Sequence, residues 1–372
     1  MRQDTITLTI FGGFLAVFSL GALLLPKRTF SQMENRPLSS PPQLTLSSVM
    51  DGSFAKESER YLSDQAVAKD ALVILKNDLS FAMGQRQLGE VYVSTEGAYL
   101  SRYQENRAQI DRNLAQINRF AASVPKPLPI SLLLVPNAVG VYPENTPALS
   151  DCGSQADTLA YVKQRLSGRV QLLSPYEKLA AHKEEALYYQ TDHHWTMRGA
   201  YYGYAALMEG LGRKPLPLSA FGSSLLADDF QGSLYSKAPV SFAAYDEMPY
   251  YQAPGLRVQL AYDDGTKTDT FLHTDALLQK DKYTVFTGGN QPSLQVSSTA
   301  AGTERVLVLK DSYANCLLPY LATAFPEMSV LDLRYFRGDL AAYIQEHSIT
   351  RILLCYNIDF LNTDDHFIYL NQ

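Results

Sequence analysis

The pattern of apolar and polar positions predicts alternating strands and helices over most of the chain. Residues 130–137 (ISLLLVPN) form a continuous apolar run, as expected of a strand that is buried on both faces. Other apolar runs predict strands at 170–175, 305–310, 329–336 and 351–357. Helical spacing of apolar residues predicts helices at 109–123, 158–166, 176–185, 197–211, 314–325 and 339–348. Because parallel strands need long and usually helical connections, this alternation predicts a parallel sheet with helices on both faces.

Two stretches depart from this rhythm. Residues 221–298 are rich in Gly, Asp and Tyr and contain short alternating runs, which predict a largely β insertion or long active-site loops. Upstream, residues 53–79 predict a helix, and residues 91–100 predict a hairpin that turns at Glu96-Gly97. The changes in pattern divide the chain into residues 1–28, residues 29–104, and an α/β domain at 105–372 with a β-rich insertion at about 221–300.

The first residues carry a distinct signal. Residues 5–26 contain no charged side chain and are roughly long enough to span a membrane, with Arg2 before them and Lys27 and Arg28 after them. This pattern predicts a signal peptide or an uncleaved signal anchor, and the lack of a clear small-x-small cleavage site favours the anchor. We therefore expect the rest of the chain to lie outside the cytoplasm, attached to the membrane by this segment or secreted if the segment is cleaved.

Composition narrows the classes of function. The 372 residues are 46% hydrophobic, which is enough for a large core, and the net charge is −6. Without a Lys/Arg tract or a recognisable motif, the chain is not expected to bind nucleic acid. A disulfide framework is not expected, because the chain has only three cysteines, an odd number: Cys152, Cys316 and Cys355. The 24 tyrosines suit a carbohydrate-facing surface, but they also suit ordinary core packing.

Several residues that could act in catalysis or bind a metal lie close together in the stretch from 188 to 207, YYQTDHHWTMRGAYYGYAAL. It contains Asp192, His193, His194 and Trp195, which include two of the six histidines and the only tryptophan. In an extended segment, residues i and i+2 share a face, so Asp192 and His194 are expected to lie together while His193 faces away. A carboxylate beside an imidazole fixes its tautomer and stabilises the imidazolium. Trp195 is expected to begin the next turn and to form a wall of the site.

A nucleophile for such a pair is found in VLVLKDSYAN, at 306–315. Ser312 follows a predicted strand and precedes a predicted helix, which places it at the sheet edge where α/β proteins build their sites. The helix N-terminus offers N–H groups to an oxyanion. Asn357 ends a neighbouring strand, and its amide is a candidate oxyanion donor. The loop after 329–336 offers the Gly338 N–H, which glycine can bring close, and Arg334 and Tyr335 are candidate substrate-binding residues.

Other interpretations of the same residues stay open at this point. Ser312 or Asp311 would also serve as a helix N-cap, and His194 would also serve as a core histidine. The Asp-His-His string is similar to that of manganese-dependent DHH phosphoesterases, and it offers three potential metal ligands. Against a metal, adjacent histidines in a strand diverge, and the further Asp motifs of those enzymes are not evident. A non-catalytic envelope protein that binds glycan or acts as a scaffold is a third possibility.

Two longer stretches carry a family resemblance. TDHHWTMRGA (191–200) and KDSYAN (310–315) resemble the DHHW protein family of bacteria, which is related to the SGNH-hydrolase-like alginate O-acetylation proteins of the periplasm. The resemblance covers nearly the whole chain after the apolar segment. Further stretches that look like family landmarks are ENRPL (34–38), PNAVGVYPE (136–144), FQGSLY (230–235) and KYTVFTGGN (282–290).

The resemblance implies an SGNH-like (flavodoxin-like) three-layer α/β fold in which the Asp-x-His element precedes the Ser element, a permuted order. Carried over by motif, Ser312 is the nucleophile, His194 the general base and Asp192 the residue that orients it. SGNH enzymes usually have the sequence Gly-Asp-Ser, and in this chain Lys310 stands at the position of that glycine. A lysine at a position that requires positive φ would be strained.

The resemblance also implies a reaction and its partners. Ser312 would attack an acetyl ester, and the acyl-serine would pass its acetyl group to a sugar hydroxyl or to water, without a cofactor or a metal. The partner is expected to be a cell-surface polysaccharide. An acetyl donor would be supplied through a membrane-bound acyltransferase, because acetyl-CoA is not expected outside the cytoplasm.

Overall fold

The computed structural model of the protein describes residues 2–24, 26–125 and 127–372. The chain divides into two units, one formed by residues 1–85 and 236–242 and the other by residues 86–235 and 243–372. The strands, in chain order, are β1 (Phe30–Ser31), β2 (Arg36–Pro37), β3 (Gln87–Leu88), β4 (Val91–Val93), β5 (Tyr99–Ser101), β6 (Ile130–Val135), β7 (Val170–Leu173), β8 (Gly222–Leu225), β9 (Pro249–Gln252), β10 (Val258–Tyr262), β11 (Lys267–Thr268), β12 (Ser293–Ser298), β13 (Arg305–Lys310), β14 (Glu327–Leu331) and β15 (Arg351–Asn357).

Helices connect most of these strands. The α-helices, in chain order, are α1 (Arg2–Leu24), α2 (Leu46–Met50), α3 (Ser53–Asp64), α4 (Lys69–Ala82), α5 (Arg107–Ser123), α6 (Ala138–Val141), α7 (Gln155–Arg165), α8 (Tyr176–Ala180), α9 (Met197–Gly210), α10 (Ser233–Lys237), α11 (Leu318–Leu321), α12 (Leu340–Glu346) and α13 (Ile358–Thr363). Short 3-10 helices lie at Pro143–Asn145, Leu218–Ala220, Thr274–Leu278, Lys282–Val285, Ser312–Cys316 and His366–Asn371.

The central sheet of the larger unit has eight strands in the order β11-β10-β12-β14-β13-β15-β6-β7. The last five strands are parallel, and β10, β11 and β12 pair antiparallel. Counted from β13, the five parallel strands have the spatial order 2-1-3-4-5 of flavodoxin-like sheets. Because β6 and β7 come first in the chain, that order is circularly permuted. The prediction of an α/β protein with a parallel sheet of flavodoxin-like order is confirmed.

Both faces of the sheet are buried. In β13, Val306 and Val308 pack in one hydrophobic cluster, and Leu307 and Leu309 pack in a second cluster on the other face. All six residues of β6 are buried as well. This burial explains the uninterrupted apolar runs in the sequence, because a strand covered by helices on both sides has no polar face.

The predicted β-rich insertion is only partly separate from the sheet. Strands β10, β11 and β12 extend the central sheet beyond β14, and β8 and β9 pair antiparallel in a separate two-stranded sheet. The predicted hairpin at 91–100 is present as β4 and β5, with Gly97 at φ 78° in the turn. The strand predicted at 329–336 begins at Glu327 and ends at Leu331, and the helix predicted at 176–185 ends at Ala180.

In the smaller unit, the helix predicted at 53–79 is wrong as a single element. It is divided into α3 and α4, with Ala68 in the left-handed region at φ 53° between them. Leu25, within the apolar segment predicted at 5–26, lies outside the described residues. Among the residues that are described, no helix is both long and apolar enough to cross a membrane. The anchor or signal segment stays a prediction.

Candidate active site

The DHHW segment is a tight bend, not the extended strand that was predicted. Tyr188 and Trp195 form an isolated β-bridge, and the N–H of Tyr189 donates to the carbonyl of His194 over 3.2 Å. Inside the bend, the N–H of His194 donates to Asp192 Oδ1 over 2.9 Å, which is an Asx-turn. The same Oδ1 lies 2.6 Å from His194 Nδ1. The expected Asp192–His194 pair is therefore present, but a turn creates it, not strand alternation.

The prediction that His193 faces away is wrong for the same reason. The bend places the His193 and His194 rings 3.8 Å apart, and His193 Nδ1 lies 2.5 Å from Ser233 Oγ. His193 is partly exposed at the site, while His194 is buried. It is therefore the histidine of the pair that solvent and a substrate can reach more easily.

A buried carboxylate holds the start of the bend. Asp246 accepts from the N–H groups of Gln190 and Thr191 over 2.6 and 2.8 Å and from the Thr191 hydroxyl over 2.5 Å. Burial raises the pKa of Asp246 to about 6. Sequence reasoning missed this residue, because nothing near Asp246 distinguishes it from a surface aspartate.

Asp192 is enclosed from its other side by the FQGSLY stretch. The N–H of Ser233 donates to Asp192 Oδ2 over 2.7 Å, and a Cβ added to Gly232 would lie 2.3 Å from Asp192 Cβ and Oδ2. Burial acts to raise the pKa of Asp192, but the adjacent imidazoles of His194 and His193 and the Ser233 N–H hold it well below its usual range. Asp192 is therefore the ionised partner of His194.

Ser312 reaches the histidine from the end of β13. Asp311 is the N-cap of the 3-10 helix Ser312–Cys316, since its Oδ1 accepts from the Tyr313 N–H over 2.8 Å. This capping leaves the Ser312 hydroxyl free for His194, and Ser312 Oγ lies 2.8 Å from His194 Nε2. Ser312, His194 and Asp192 thus form one continuous hydrogen-bonded chain, although 118 residues separate the serine from the histidine.

Asn357 has a different role from the oxyanion donor that was predicted. Its N–H and its Nδ2 both donate to Asp311 Oδ2 over 2.7 Å, and its Oδ1 accepts from the Phe360 N–H over 3.0 Å. No hydrogen bond joins it to Ser312 within the described part of the chain. Asn357 therefore connects the end of β15 to the turn that contains Ser312.

Asp311, the residue that binds Asn357, is itself buried. Burial raises the pKa of Asp311 to about 6.

Lys310 causes no backbone strain. It is the last residue of β13 and is not among the residues with positive φ. Its side chain is only 4% exposed, and Nζ donates to Asn315 Oδ1 over 2.7 Å and to Asn290 Oδ1 over 3.1 Å, with Asp332 Oδ2 3.5 Å away. Burial lowers the pKa of Lys310 to about 8. The lysine is thus a buried donor at the base of the serine turn.

The remaining predicted site residues do not reach the reacting groups. Gly338 lies in an exposed loop, and a Cβ there would lie 2.5 Å from the Phe336 ring, so the glycine makes room for that ring. Arg334 donates to both oxygens of Asp332 over 2.9 and 2.6 Å. Tyr335 is 51% exposed, with the Arg334 guanidinium 5.6 Å from its ring centroid. In the described chain, none of the three is hydrogen-bonded to Ser312 or His194.

Trp195 supports the site from beneath and does not form an accessible wall. It is fully buried, and its Nε1 donates to the carbonyl of Tyr313 over 2.8 Å. Its ring fills the space beside Gly203, where an added Cβ would lie 2.5 Å from it. The bond to Tyr313 joins the DHHW bend directly to the helix that begins at Ser312.

Tyr283 is the main site residue that sequence reasoning missed. Its ring stacks on the His194 imidazole, and its hydroxyl donates to the carbonyl of Ser312 over 3.1 Å. It belongs to the stretch KYTVFTGGN, which the sequence marked as an alternating run of the β-rich insertion and as a family landmark. Neither signal distinguished Tyr283 from the other 23 tyrosines of the chain.

Comparison with known families decides what this arrangement belongs to. The sequence model of the DHHW protein family matches residues 77–331, more than half of the chain. The chain belongs to the DHHW protein family. The membership that the TDHHWTMRGA and KDSYAN stretches predicted is thereby confirmed. No curated protein matches the chain.

Several solved structures are similar to this DHHW protein. A DHHW family protein from Eubacterium siraeum has 22% identity and a TM-score of 0.66, over 77% of this chain and 96% of that one. Bacillus cereus PatB1, solved with a sulfonyl adduct, has 22% identity and a TM-score of 0.63, over 76% and 98%. The O-acetyltransferase domain of Pseudomonas putida AlgJ has 15% identity and a TM-score of 0.48, over 74% and 93%. The first two similarities show a shared fold.

The DHHW string also brings three potential metal ligands together. Ligand atoms of Asp192, His193 and His194 all lie within 4.8 Å of one another. Both nitrogens of His194 already face hydrogen-bond partners, Asp192 and Ser312, and His193 Nδ1 faces Ser233. A metal bound through these atoms would have to replace those bonds.

A cavity of about 610 Å³ opens beside the bend. It is bordered by the chain that leads into the DHHW string, and Tyr142, Lys183, Tyr188, Gln190 and Tyr245 are among its lining residues. Ser312 and His194 do not line it. The cavity is therefore a surface next to the DHHW bend, with tyrosine rings and charged groups, and not the reaction centre itself.

Proposed function

We propose that this DHHW protein is an extracytoplasmic serine acyltransferase or esterase that adds acetyl groups to, or removes them from, a cell-surface polysaccharide. One observation carries the proposal: Ser312 Oγ, the His194 ring and the Asp192 carboxylate are joined by contacts of 2.8 and 2.6 Å. Such a chain activates a serine hydroxyl, because the imidazole accepts its proton and the carboxylate stabilises the resulting imidazolium.

The reaction proceeds in two halves. Ser312 Oγ attacks the carbonyl carbon of an acetyl ester while His194 Nε2 takes the hydroxyl proton. The tetrahedral intermediate collapses, the bond to the leaving alcohol breaks, and His194 gives that alcohol its proton. A sugar hydroxyl or water then attacks the acyl-serine, with His194 again taking and returning the proton. Asp192 keeps His194 Nδ1 protonated, so that Nε2 carries the lone pair that faces Ser312.

Support for a polysaccharide acceptor comes from the surroundings of the reaction centre. The cavity beside the DHHW bend presents tyrosines such as Tyr142 and Tyr245, and Tyr245 is 63% exposed. Tyrosines combine an apolar ring with a hydroxyl, which suits the mixed surface of a sugar. The apolar segment at 5–26 is proposed to place the protein at the outer side of the membrane. A membrane-bound acyltransferase would there supply the acetyl group.

The first test is covalent labelling and turnover of the purified protein. PatB1 has been solved with a sulfonyl adduct, and a sulfonyl fluoride is the probe we select here. We expect wild-type protein to be labelled at Ser312, as located by mass spectrometry, and to hydrolyse p-nitrophenyl acetate. Ser312→Ala should lose both properties, and exposed Ser219 provides the control variant Ser219→Ala. A wild type that is neither labelled nor active would overturn the proposal.

The partners of the serine are tested by the same two assays. Asp192→Asn should lower turnover by about 10⁴-fold, because an amide can favour the wrong tautomer of the imidazole. Asp263→Asn, at an exposed position, should retain activity. Addition of an oligosaccharide acceptor separates the two classes of enzyme: acetylated sugar indicates a transferase and free acetate an esterase.

Two other functions give different results. A metal-dependent phosphoesterase would lose activity on dialysis against EDTA, whereas the serine mechanism predicts unchanged hydrolysis of the acetyl ester. A glycan-binding scaffold would bind polysaccharide equally well as wild type and as Ser312→Ala, and neither form would turn over an ester.

A further inference from the structure

The acyl-serine mechanism needs hydrogen-bond donors for the oxyanion of the tetrahedral intermediate. The N–H of Ser312 is available, since no acceptor for it is present among the described residues. The other two donors expected from the sequence are used elsewhere: Asn357 binds Asp311, and Gly338 lies in an exposed loop. A second donor must therefore come from another part of the molecule.

The loop before β12 contains an unusual run of backbone conformations. Thr287, Gly288 and Gly289 all have positive φ, at 59°, 69° and 87°. This conformation is unfavourable for a β-branched residue such as Thr287, which is nevertheless buried and held by its own hydroxyl bonded to the carbonyl of Gly289 over 3.1 Å. Strain of this kind persists where the surroundings impose it, and it is often found at functional sites. Asn290 directly follows these three residues.

The side chain of Asn290 is held on one side only. Its Oδ1 accepts from Lys310 Nζ over 3.1 Å and from Asn315 Nδ2 over 3.3 Å. An ammonium group can only donate, so Lys310 determines which end of the amide faces it. The Nδ2 group of Asn290 is thereby turned away from Lys310, and the described residues contain no acceptor for it.

The two residues that hold Asn290 lie on either side of Ser312 in the chain. Lys310 is two residues before the serine, and Asn315 is three residues after it within the 3-10 helix Ser312–Cys316. Side chains at i and i+3 of a 3-10 helix lie above one another, so Ser312 and Asn315 share a face. Asn290, which is partly exposed, contacts that face through Asn315.

We propose that Asn290 Nδ2 is the second oxyanion donor, next to the N–H of Ser312, and that Lys310 is the positioning residue that orients it. The proposal rests on the acyl-serine mechanism proposed above. It also accounts for a lysine where related enzymes have glycine: the buried ammonium fixes the amide of Asn290 by binding its oxygen.

A purely structural role for Asn290 is the competing explanation, and one substitution separates the two. Asn290→Asp keeps the oxygen that binds Lys310, but it replaces the free N–H donor with a second oxygen. A structural role predicts a stable and active Asn290→Asp variant, because the carboxylate would pair with the ammonium. A donor role predicts a stable variant that has lost activity.

The experiment measures kcat and KM for p-nitrophenyl acetate and the thermal midpoint of each full-length variant. Asn290→Ala and Asn290→Asp should each lose about 10²–10³-fold in kcat, the usual effect of removing one oxyanion donor. Gln279→Ala, an exposed amide in the preceding segment, is the control and should stay within about twofold of wild type. If Asn290→Asp folds and retains wild-type kcat, the proposal is overturned; if it does not fold, Asn290→Ala decides by the same criterion.

Lys310 is tested through its dependence on Asn290. Lys310→Met should lower kcat, but it should cause no further loss in the Asn290→Ala background, because a positioning residue acts only through the group that it positions. Additive losses would contradict this role. Ser312→Ala in the same assay keeps the two proposals apart: a wild type without Ser312-dependent hydrolysis contradicts the mechanism, whereas Ser312-dependent hydrolysis with a fully active Asn290→Asp contradicts only the donor.

Discussion

The ring of Tyr283 lies flat on the imidazole of His194, with centroids 3.6 Å apart and an interplanar angle of 6°. His194 is thus held by Asp192 at one nitrogen, by Ser312 at the other and by an aromatic ring across its face. Tyr283 is itself fixed by edge-on contact with Tyr189, at 6.2 Å between centroids. The imidazole therefore has little freedom to rotate away from the serine before a substrate arrives.

This stacking predicts a difference between two substitutions of Tyr283. Tyr283→Phe keeps the ring and removes only the hydroxyl that donates to the Ser312 carbonyl, so kcat should fall by about tenfold at most. Tyr283→Leu removes the flat surface and lets His194 move, which should cost about 10²-fold. Esterase kinetics of the two variants, each checked for folding by circular dichroism, measure the difference. Equal losses would mean that the stacked ring does not position the histidine.

A side chain at position 232 is expected to lower activity by displacing Asp192. An alanine there would place a methyl group 2.3 Å from Asp192 Cβ and Oδ2, so the carboxylate must move from His194 Nδ1. We expect Gly232→Ala to lower kcat by about 10²-fold, the cost of a misplacement of about 1 Å. Gly168→Ala is the matched control, because nothing lies within 4 Å of the added Cβ and the backbone is not left-handed there. Wild-type kinetics in Gly232→Ala would show that Asp192 tolerates the displacement.

We expect the stability of the smaller unit to depend on pH because of Asp64. This buried carboxylate accepts from Arg36 over 2.6 and 3.1 Å, from the Ser39 N–H over 2.9 Å and from Lys69 over 3.1 Å. The hydrogen bonds from Arg36, with further bonds from Ser39 and Lys69, hold the pKa of Asp64 well below its usual range. Because the folded-state pKa is lowered, the stabilisation is complete above about pH 5 and is lost progressively as the pH falls below that value.

Asp64→Asn tests this dependence. At pH 7 the variant should open α3 and α4 more readily, by about 1.5–3 kcal/mol, the range for hydrogen bonds to a charged group. Hydrogen exchange of residues 53–82, followed by mass spectrometry, measures the opening of this part of the chain. The difference from wild type should become smaller as the pH falls from 5 towards 2. A difference that stays constant over this range would rule out Asp64 as the titrating group.

Trp195 provides a direct optical test of the buried site. It is the only tryptophan of the chain, and its side chain is fully buried against the serine turn. We expect its fluorescence to be little quenched by iodide in the native protein and strongly quenched in urea. Ser219→Ala should leave this protection unchanged, while Gly203→Ala, whose Cβ would lie 2.5 Å from the indole, should weaken it. Strong quenching of the native protein would contradict the burial of Trp195.

Two asparagines near the serine turn, Asn357 and Asn290, differ in whether their amide groups are free to donate. Asn357 was assigned to the oxyanion because it ends a strand at the correct sheet edge, and its position is right. Its amide, however, is used by Asp311, whose carboxylate would otherwise be buried without these donors. Asn290 ends the landmark stretch 282–290, but nothing in that stretch indicates that its loop lies beside Lys310. Which of two asparagines is free to donate depends on neighbours that are distant in the chain.

The order of apolar and polar residues was enough to predict the class of the fold and the order of its elements. Burial on both faces leaves uninterrupted apolar runs, so β6, β13 and β15 and most of the connecting helices could be predicted. The DHHW string also indicated the Asp192–His194 pair, and the apolar run of β13 indicated the serine that follows it.

The contacts among those residues became evident only from the folded chain. The turn after β13 and the DHHW bend place Ser312 Oγ 2.8 Å from His194 Nε2, although the histidine lies 118 residues earlier. An Asx-turn, a glycine that leaves room for Asp192, and a tyrosine ring stacked on His194 fix the geometry. A local sequence pattern indicates which residues are buried, because burial favours an apolar side chain at each position separately. Contacts between distant residues depend on the path of the whole chain, and no local pattern contains that path.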